Sequence, residues 1–167
     1  MSTQINPTTG PCVDLLGPTI EFLTSPQEEN IQFCVLKGVI PPGVSIPIHS
    51  HADTEDFFVI AGEVEALRQG PTGYEWVGVK AGDHIHVPGG ARHAWRNLSH
   101  EPLVAYVITT PKLARFFKEV GRPVAGAAQQ PPPGDIGNFL ARYENVSAKY
   151  GYWNATPEEN AAAGIRL

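Results

Sequence analysis

Residues 43–62 carry the sequence GVSIPIHSHADTEDFFVIAG, which decides the fold and the candidate site of this chain. His49 and His51 are separated by one residue, and Glu55 follows after three more. Side chains two apart in a strand point to the same face, so both imidazoles project from one side of a single predicted strand. The polar segment 52–54 can turn the chain into the next strand. The stretch therefore predicts three polar donors at one end of a strand pair.

A second stretch, residues 82–97, has the sequence GDHIHVPGGARHAWRN. It contains His93, which is the third candidate histidine ligand. Pro88 sets the corner before His93, because its ring locks φ in the range that a turn requires. Gly62 and Gly90 are predicted to adopt positive φ in tight turns, a region that glycine enters without steric cost. His93 is therefore expected to reach the histidine pair from a separate hairpin.

Three imidazoles and one carboxylate form a donor set typical of a divalent transition metal, and they leave positions for water or substrate. A single buried histidine is more often a core residue with its hydrogen bonds satisfied. Two inward histidines without a metal, however, would leave polar groups to satisfy inside an apolar barrel. We therefore predict one metal ion per chain, with Fe, Mn, Ni, Cu, Zn and Co all compatible, bound by His49, His51, Glu55 and His93.

Both stretches resemble the two signature motifs of the cupin superfamily, with agreement at every signature position and a match over about residues 38–110. The resemblance implies an all-β fold, the cupin barrel, also called a double-stranded β-helix or jelly roll. The rest of the sequence favours the same class, because short apolar runs alternate with turn signals every 8–12 residues or so. The 17 glycines and 16 prolines are consistent with many turns between short strands.

The changing residue pattern along the chain predicts three parts: an N-terminal arm over residues 1–19, the barrel over residues 20–110, and a C-terminal helical extension over residues 111–167. Apolar residues at helical spacing predict two helices in the extension, one around Phe116 and one around Phe139. The last dozen residues read as frayed. Two apolar helices outside a barrel need surfaces to cover them, which favours a homodimer; packing of both helices on their own barrel is the alternative.

The extension resembles that of single-domain cupins described as quercetin 2,3-dioxygenase-like. In that subgroup a helix containing Phe-Phe follows the barrel, here at Phe116 and Phe117, and a Pro-rich linker and a helix ending near Tyr-Gly come next, here at 131–134 and Tyr150. The resemblance implies an oxidoreductase, a dioxygenase acting on a small oxygenated molecule with aromatic compounds among the candidates. It also implies that Glu55 is catalytic, as a ligand that takes the substrate proton.

Two other classes stay open at this point, because cupin barrels host unrelated functions. One is an isomerase or lyase that uses the same metal as a Lewis acid. The other is a non-catalytic module that binds a metal or a small ligand. Oxygen uptake separates the first class from the dioxygenase, and turnover of any substrate excludes the second.

Several further side chains have more than one interpretation. His84 and His86 alternate, so they share a face that either lies at the barrel mouth, meets another subunit or is merely solvated. Phe57 and Trp95 share strand parity with Glu55 and His93, so they line the cavity or pack in the core. Arg96 contacts an anionic ligand or forms a surface salt bridge.

The bulk composition excludes some partners and predicts a location. A formal net charge of -5 argues against binding nucleic acid through a basic surface. Neither a signal peptide nor an apolar run of the roughly 20 residues that cross a membrane is visible in the sequence. Cys12 and Cys34 lack a C-x-x-C arrangement and are expected to be reduced. We therefore expect a cytoplasmic protein whose partner is a small-molecule substrate.

Overall fold

The computed structural model describes residues 10–125 and 136–165. In these residues it contains twelve strands and three helices, most of them short. In chain order they are β1 (Cys12–Asp14), β2 (Thr19–Phe22), β3 (Cys34–Ile40), β4 (Ser45–Ser50), β5 (Glu55–Ala61), β6 (Glu63–Gly70), β7 (Gly73–Lys80), β8 (His84–Val87), β9 (His93–Arg96), β10 (Leu103–Thr109), α1 (Pro111–Val120), β11 (Arg122–Val124), α2 (Ile136–Tyr150), β12 (Trp153–Asn154) and α3 (Pro157–Ala162).

The strands form two antiparallel sheets whose inner faces pack together. The order is β11-β1-β2-β3-β10-β5-β8 in the seven-stranded sheet and β12-β4-β9-β6-β7 in the five-stranded sheet. One buried cluster joins them, with Ile40 and Val59 from the first sheet packed against Val64, Val79 and Trp95 from the second. The fold is thus the all-β jelly-roll barrel that the sequence predicts.

Strand β10 shows why each sheet has one inner and one outer face. Leu103, Ala105 and Val107 are buried, whereas Tyr106 between them is 42% exposed. Alternate residues of a strand point to opposite faces, so the apolar set faces the barrel and Tyr106 faces outward. The same parity in β5 places Glu55 and Phe57 inside the barrel.

The N-terminal segment departs from the predicted arm over 1–19, because part of it is a sheet strand. Strand β1 pairs with β2 and with β11 from the C-terminal part of the chain. Asp14 stabilises the following turn by accepting hydrogen bonds from the backbone of Leu16 and Gly17, and it forms a 2.6 Å ion pair with Arg122. Residues 10–19 are therefore part of the barrel, while residues 1–9 lie outside the described part.

Helices α1 and α2 occur where the apolar spacing predicts them. Thr110 caps α1 by accepting a hydrogen bond from the backbone N–H of Leu113, and proline stands in the first turn. Leu113, Phe116 and Val120 of α1 pack with Val146 of α2 in one buried cluster. Helix α1 therefore covers its apolar face within the chain, whereas α2 still exposes Ile136 and Leu140, at 59% and 49%. The homodimer stays a prediction.

The last described residues contact the barrel, so the expectation of a frayed end is wrong for residues 156–165. Strand β12 pairs with β4, and the side chain of Asn160 accepts a 2.9 Å hydrogen bond from the backbone N–H of Ile48. A capping box between Thr156 and Glu159 starts α3. Ile165 is 2% exposed and packs in a cluster with Ile48. This segment thus supports the strand that carries His49.

Replacing Gly62 by alanine should destabilise the barrel by more than about 2 kcal/mol, because two penalties combine there. Gly62 has a φ of 78°, which costs an L-residue about 1–2 kcal/mol. An added Cβ would also overlap the carbonyl oxygen of Pro102. The free energy of unfolding from urea titration measures the loss.

Gly43 provides the matched control, because its φ is 75° but an added Cβ would meet no atom within 4 Å. Gly43→Ala should therefore cost only the conformational part, about 1–2 kcal/mol. Equal losses for the two variants would show that the contact with Pro102 relaxes without cost.

Candidate metal centre

The predicted donors come from three strand ends that meet inside the barrel. His49 lies near the end of β4 and pairs directly with His93, the first residue of β9. Glu55 is the first residue of β5, and His51 lies in the turn between β4 and β5. The ring centroids of His49 and His93 are 4.2 Å apart, and that of His51 lies 5.6 Å from His49 and 5.2 Å from His93.

Each of the three imidazoles is oriented by a hydrogen bond to a backbone carbonyl. The Nδ1 atom of His49 lies 2.8 Å from the oxygen of Pro47, that of His51 lies 2.9 Å from the oxygen of Asp53, and that of His93 lies 2.9 Å from the oxygen of Ala91. A carbonyl can only accept, so Nδ1 carries the proton in each ring. The Nε2 atoms of the neutral rings are therefore free to act as acceptors or ligands.

Glu55 contributes a buried carboxylate to the same cluster. Its Oε2 atom lies 3.3 Å from Nε2 of His51 and 3.3 Å from Nε2 of His93. Burial would raise the pKa of Glu55, but the two imidazoles outweigh it and hold this pKa well below its usual range. Glu55 is therefore ionised in the cluster.

The environment separates the pKa values of two histidines. Burial and the neighbouring His93 and His51 lower the pKa of His49 to about 3. Burial would also lower the pKa of His51, but hydrogen bonding and charge from Glu55 outweigh burial and raise it. In the absence of other ligands, His49 is therefore neutral and His51 is the imidazole that Glu55 stabilises as a cation.

The donor set fits a metal ion on two observations. One ring nitrogen from each of His49, His51 and His93 lies within 4.8 Å of the others. The Nε2 atom of His93 is buried and has no hydrogen-bond partner in the described residues. The Glu55 oxygen 3.3 Å from this nitrogen does not form a hydrogen bond with it, and ligation of a cation would remove the cost of burying it unsatisfied. Glu55, which touches two of the three rings, could complete the set.

The other three polar candidates lie away from the cluster. His84 and His86 face outward from β8, and both bond the same carboxylate oxygen of Asp56, at 2.8 Å and 3.0 Å. Arg96 forms a 2.6 Å ion pair with Glu65 and stacks on Trp76. His84 and His86 are thus surface groups, and the salt-bridge reading of Arg96 is the one that the structure supports.

Phe57 and Trp95 lie inside the barrel, two residues further along their strands than Glu55 and His93. Their rings are in contact, with centroids 4.7 Å apart. Trp95 is only 3% exposed and belongs to the core, whereas Phe57 is partly accessible. Of the two, Phe57 alone has surface that a small molecule could touch.

Sequence reasoning missed a hydrogen-bond network beside His51. Asp53 is buried, and its carboxylate accepts hydrogen bonds from the hydroxyls of Thr110 and Tyr152. The Tyr152 ring centroid lies 5.4 Å from that of His51. Tyr152 is 99 residues from Asp53 along the chain. A pairing so remote in sequence carries no local signal, so no motif could have indicated it.

The fold and the cluster together define a class: a jelly-roll barrel with three histidines and a carboxylate gathered inside one end. Residues 36–109 match the model of the Cupin domain family. These residues of the barrel are thus a cupin domain, as the two motifs predict.

Two curated proteins are similar to parts of the chain. Quercetin 2,3-dioxygenase of Bacillus subtilis (strain 168) is 29% identical over 114 residues, which are 67% of this chain and 33% of that protein. Dimethylsulfoniopropionate lyase DddQ of Ruegeria pomeroyi is 35% identical over 69 residues, which are 41% of this chain and 32% of that protein. The chain thus matches about a third of the length of each relative.

Among solved structures, a Klebsiella pneumoniae protein of uncharacterized function with a double-stranded β-helix domain is 23% identical, with a TM-score of 0.48. The similarity covers 57% of this chain and 78% of that one. In the described residues, we find no helix long and apolar enough to span a membrane.

Proposed function

We propose that this cupin is a metal-dependent oxidoreductase, a dioxygenase that acts on a small oxygenated molecule. The observation that carries the proposal is a cluster of three oriented imidazoles, whose ring nitrogens lie within 4.8 Å of one another, with the ionised carboxylate of Glu55 beside two of them. Similarity to a quercetin 2,3-dioxygenase over two thirds of the chain supports the reaction class.

In this proposal His49, His51, Glu55 and His93 hold one divalent ion per chain. The donor set accepts Fe, Mn, Ni, Cu, Zn or Co, and affinity order alone does not decide between them. A bound divalent ion would act as a Lewis acid that stabilises an anionic substrate oxygen. Backbone carbonyls orient the three rings through hydrogen bonds from Nδ1, so the ligands would be in place before the ion binds.

Glu55 is the proposed proton acceptor for the substrate. Among the described residues it is the one carboxylate within 4 Å of a ring nitrogen of the histidine cluster, and it is buried, ionised and close to two of the three rings. Its lowered pKa makes it a weak base towards water, so it would take a proton only from a group that is itself acidified in the site. Phe57 offers the partly accessible apolar surface beside it, which favours a substrate with an aromatic or other flat apolar part.

The second candidate function is a lyase reaction, supported by the 35% identity to the DddQ lyase over 69 residues. Here Glu55 would again accept a proton, but no oxygen would be consumed. A non-catalytic metal-binding role is the third candidate, and the site geometry alone is compatible with it.

The proposal is tested by oxygen uptake. Oxygen consumption should be measured for protein loaded with each of the six metals in turn, with a panel of flavonols and related enols as substrates. Elimination from dimethylsulfoniopropionate should be measured in parallel. We expect oxygen consumption in stoichiometric proportion to substrate loss for at least one pair of metal and substrate. The matched control is Glu55→Gln, which keeps the side-chain shape and should be inactive. Substrate loss without oxygen uptake would favour the lyase, and no turnover in either assay would contradict both enzymes.

We also propose that the protein is a homodimer, with the outer face of the seven-stranded sheet as the candidate contact surface. That face exposes the apolar side chains of Phe58, Ile60 and Tyr106. It also carries the opposite charges of Lys37 and Asp56. A second copy related by a two-fold axis would present the same apolar surface and the same charges to it. Light scattering should give twice the 18.0 kDa of one chain.

The cytoplasm is the proposed location, and a small molecule, not nucleic acid, is the proposed partner.

A further inference from the structure

Asp53 connects the C-terminal segment to the metal centre. Its backbone carbonyl oxygen lies 2.9 Å from Nδ1 of His51. Its carboxylate accepts a 2.6 Å hydrogen bond from the hydroxyl of Tyr152 and another from the hydroxyl of Thr110. The backbone of Asp53 therefore orients the His51 ring, while the two hydroxyls hold the Asp53 side chain in place.

The Asp53 carboxylate is an unusual group to bury for stability alone. Asp53 is 5% exposed, and in the described residues it forms no ion pair with a lysine or arginine. A buried carboxylate needs hydrogen bonds to offset its lost hydration, and here two neutral hydroxyls supply them. Removing either hydroxyl would leave the carboxylate undersatisfied and free to shift, and the backbone that it fixes would shift with it.

Tyr152 also contacts His51 directly. The centroids of its ring and the His51 ring are 5.4 Å apart, at an interplanar angle of 55°. The two residues after Tyr152 also contact the strand that carries His49. Trp153 pairs with Ser50, and Asn154 pairs with His49. Two of the proposed metal ligands are thus flanked by the segment from Tyr152 to Asn154.

We propose that Tyr152 and Asp53 are positioning residues for the metal centre, so that the site includes the C-terminal segment as well as the barrel. This inference rests on the proposed metal-binding function. The second ring nitrogen of a ligand histidine commonly bonds a group that fixes the ring, and loss of such support typically lowers metal affinity by about 10–100-fold. Tyr152 acts one step further out, through Asp53, and through its contact with the ring.

The test compares Tyr152→Phe with Tyr150→Phe in binding Co²⁺. Tyr152→Phe keeps the ring and removes only the hydroxyl bonded to Asp53. Tyr150→Phe removes a hydroxyl from the same aromatic cluster, but one that bonds Glu119 at 3.0 Å, away from the site. Chelator competition should show Co²⁺ affinity about tenfold lower for Tyr152→Phe, with a changed visible spectrum. Tyr150→Phe should match the unaltered protein in both readouts, and the metal-free variants should have similar melting temperatures.

Asp53→Asn supplies a second variant, because an amide presents one acceptor oxygen where the carboxylate presents two. It should also weaken Co²⁺ binding, and combining it with Tyr152→Phe should add little further loss, since both changes break the same connection. Unchanged affinity and spectrum in Tyr152→Phe would overturn the inference while leaving the metal site intact. Failure of the unaltered protein itself to bind Co²⁺ would overturn the proposed metal function, and this inference with it.

Discussion

Replacing His51 by alanine should lower the affinity for a divalent metal by at least about 100-fold, because loss of a ligand exceeds the loss from an outer hydrogen bond. The barrel should remain folded, since its core is formed by aliphatic residues such as Leu36 and Val107 on other strands. Metal content after dialysis against a chelator measures the first effect, and thermal unfolding followed by circular dichroism measures the second.

His84→Ala is the matched control for this experiment. Like His51, His84 lies next to a carboxylate, but it belongs to β8 and faces outward from the barrel. This variant should retain its metal. Unfolding of His51→Ala, with or without added metal, would instead show that the ion has a structural role, as in small zinc domains. Retention of metal by folded His51→Ala would contradict the assigned ligand set.

Metal affinity should fall steeply in mild acid, because protons and the ion compete for the same imidazole nitrogens. The pKa of His51 is raised above the value of about 6.5 for a free histidine, since Glu55 outweighs burial. The ion must displace the proton of His51 at any pH below that raised pKa. His51 therefore contributes about a tenfold loss of affinity for each unit by which the pH falls below it. His49, with a pKa of about 3, adds no competition until the solution is far more acid.

Chelator competition between about pH 8 and pH 5 measures this dependence. Glu55→Gln gives an informative control, because it removes the carboxylate that raises the pKa of His51. The onset of the loss should then move to lower pH, whatever the overall affinity of the variant. An affinity independent of pH over this interval would mean that histidines are not the principal ligands.

The barrel and the candidate donors could be predicted because their signals are local. The single residue between His49 and His51 fixes their common face, and the turn glycines fix where the chain reverses. Gly62 and Gly90 have φ values of 78° and 84°, as predicted from sequence. The alternation of His84 and His86 indicated that they share a face of their strand. It did not indicate whether that face points into the barrel or outward, because this depends on the pairing of β8 with β5, and the bonded residues His84 and Asp56 are 28 residues apart.

Other features depended on signals that were weak or distant. Strand β1 has three residues, all buried, so it shows no alternation that would distinguish it from an arm. The end of the chain did contain a local signal, the capping box of Thr156 and Glu159, which identifies α3 in retrospect. The bond between Tyr152 and Asp53 depends on the docking of the whole extension, and tertiary contacts of this kind are invisible to periodicity.

The most direct test of the central claim is anomalous diffraction from crystals of protein loaded with one metal, collected at the absorption edge of that metal. We expect one strong anomalous peak per chain, about 2.0–2.3 Å from Nε2 of His49, His51 and His93 and from a carboxylate oxygen of Glu55. A peak elsewhere on the molecule, or no peak although the protein was saturated with metal, would contradict it.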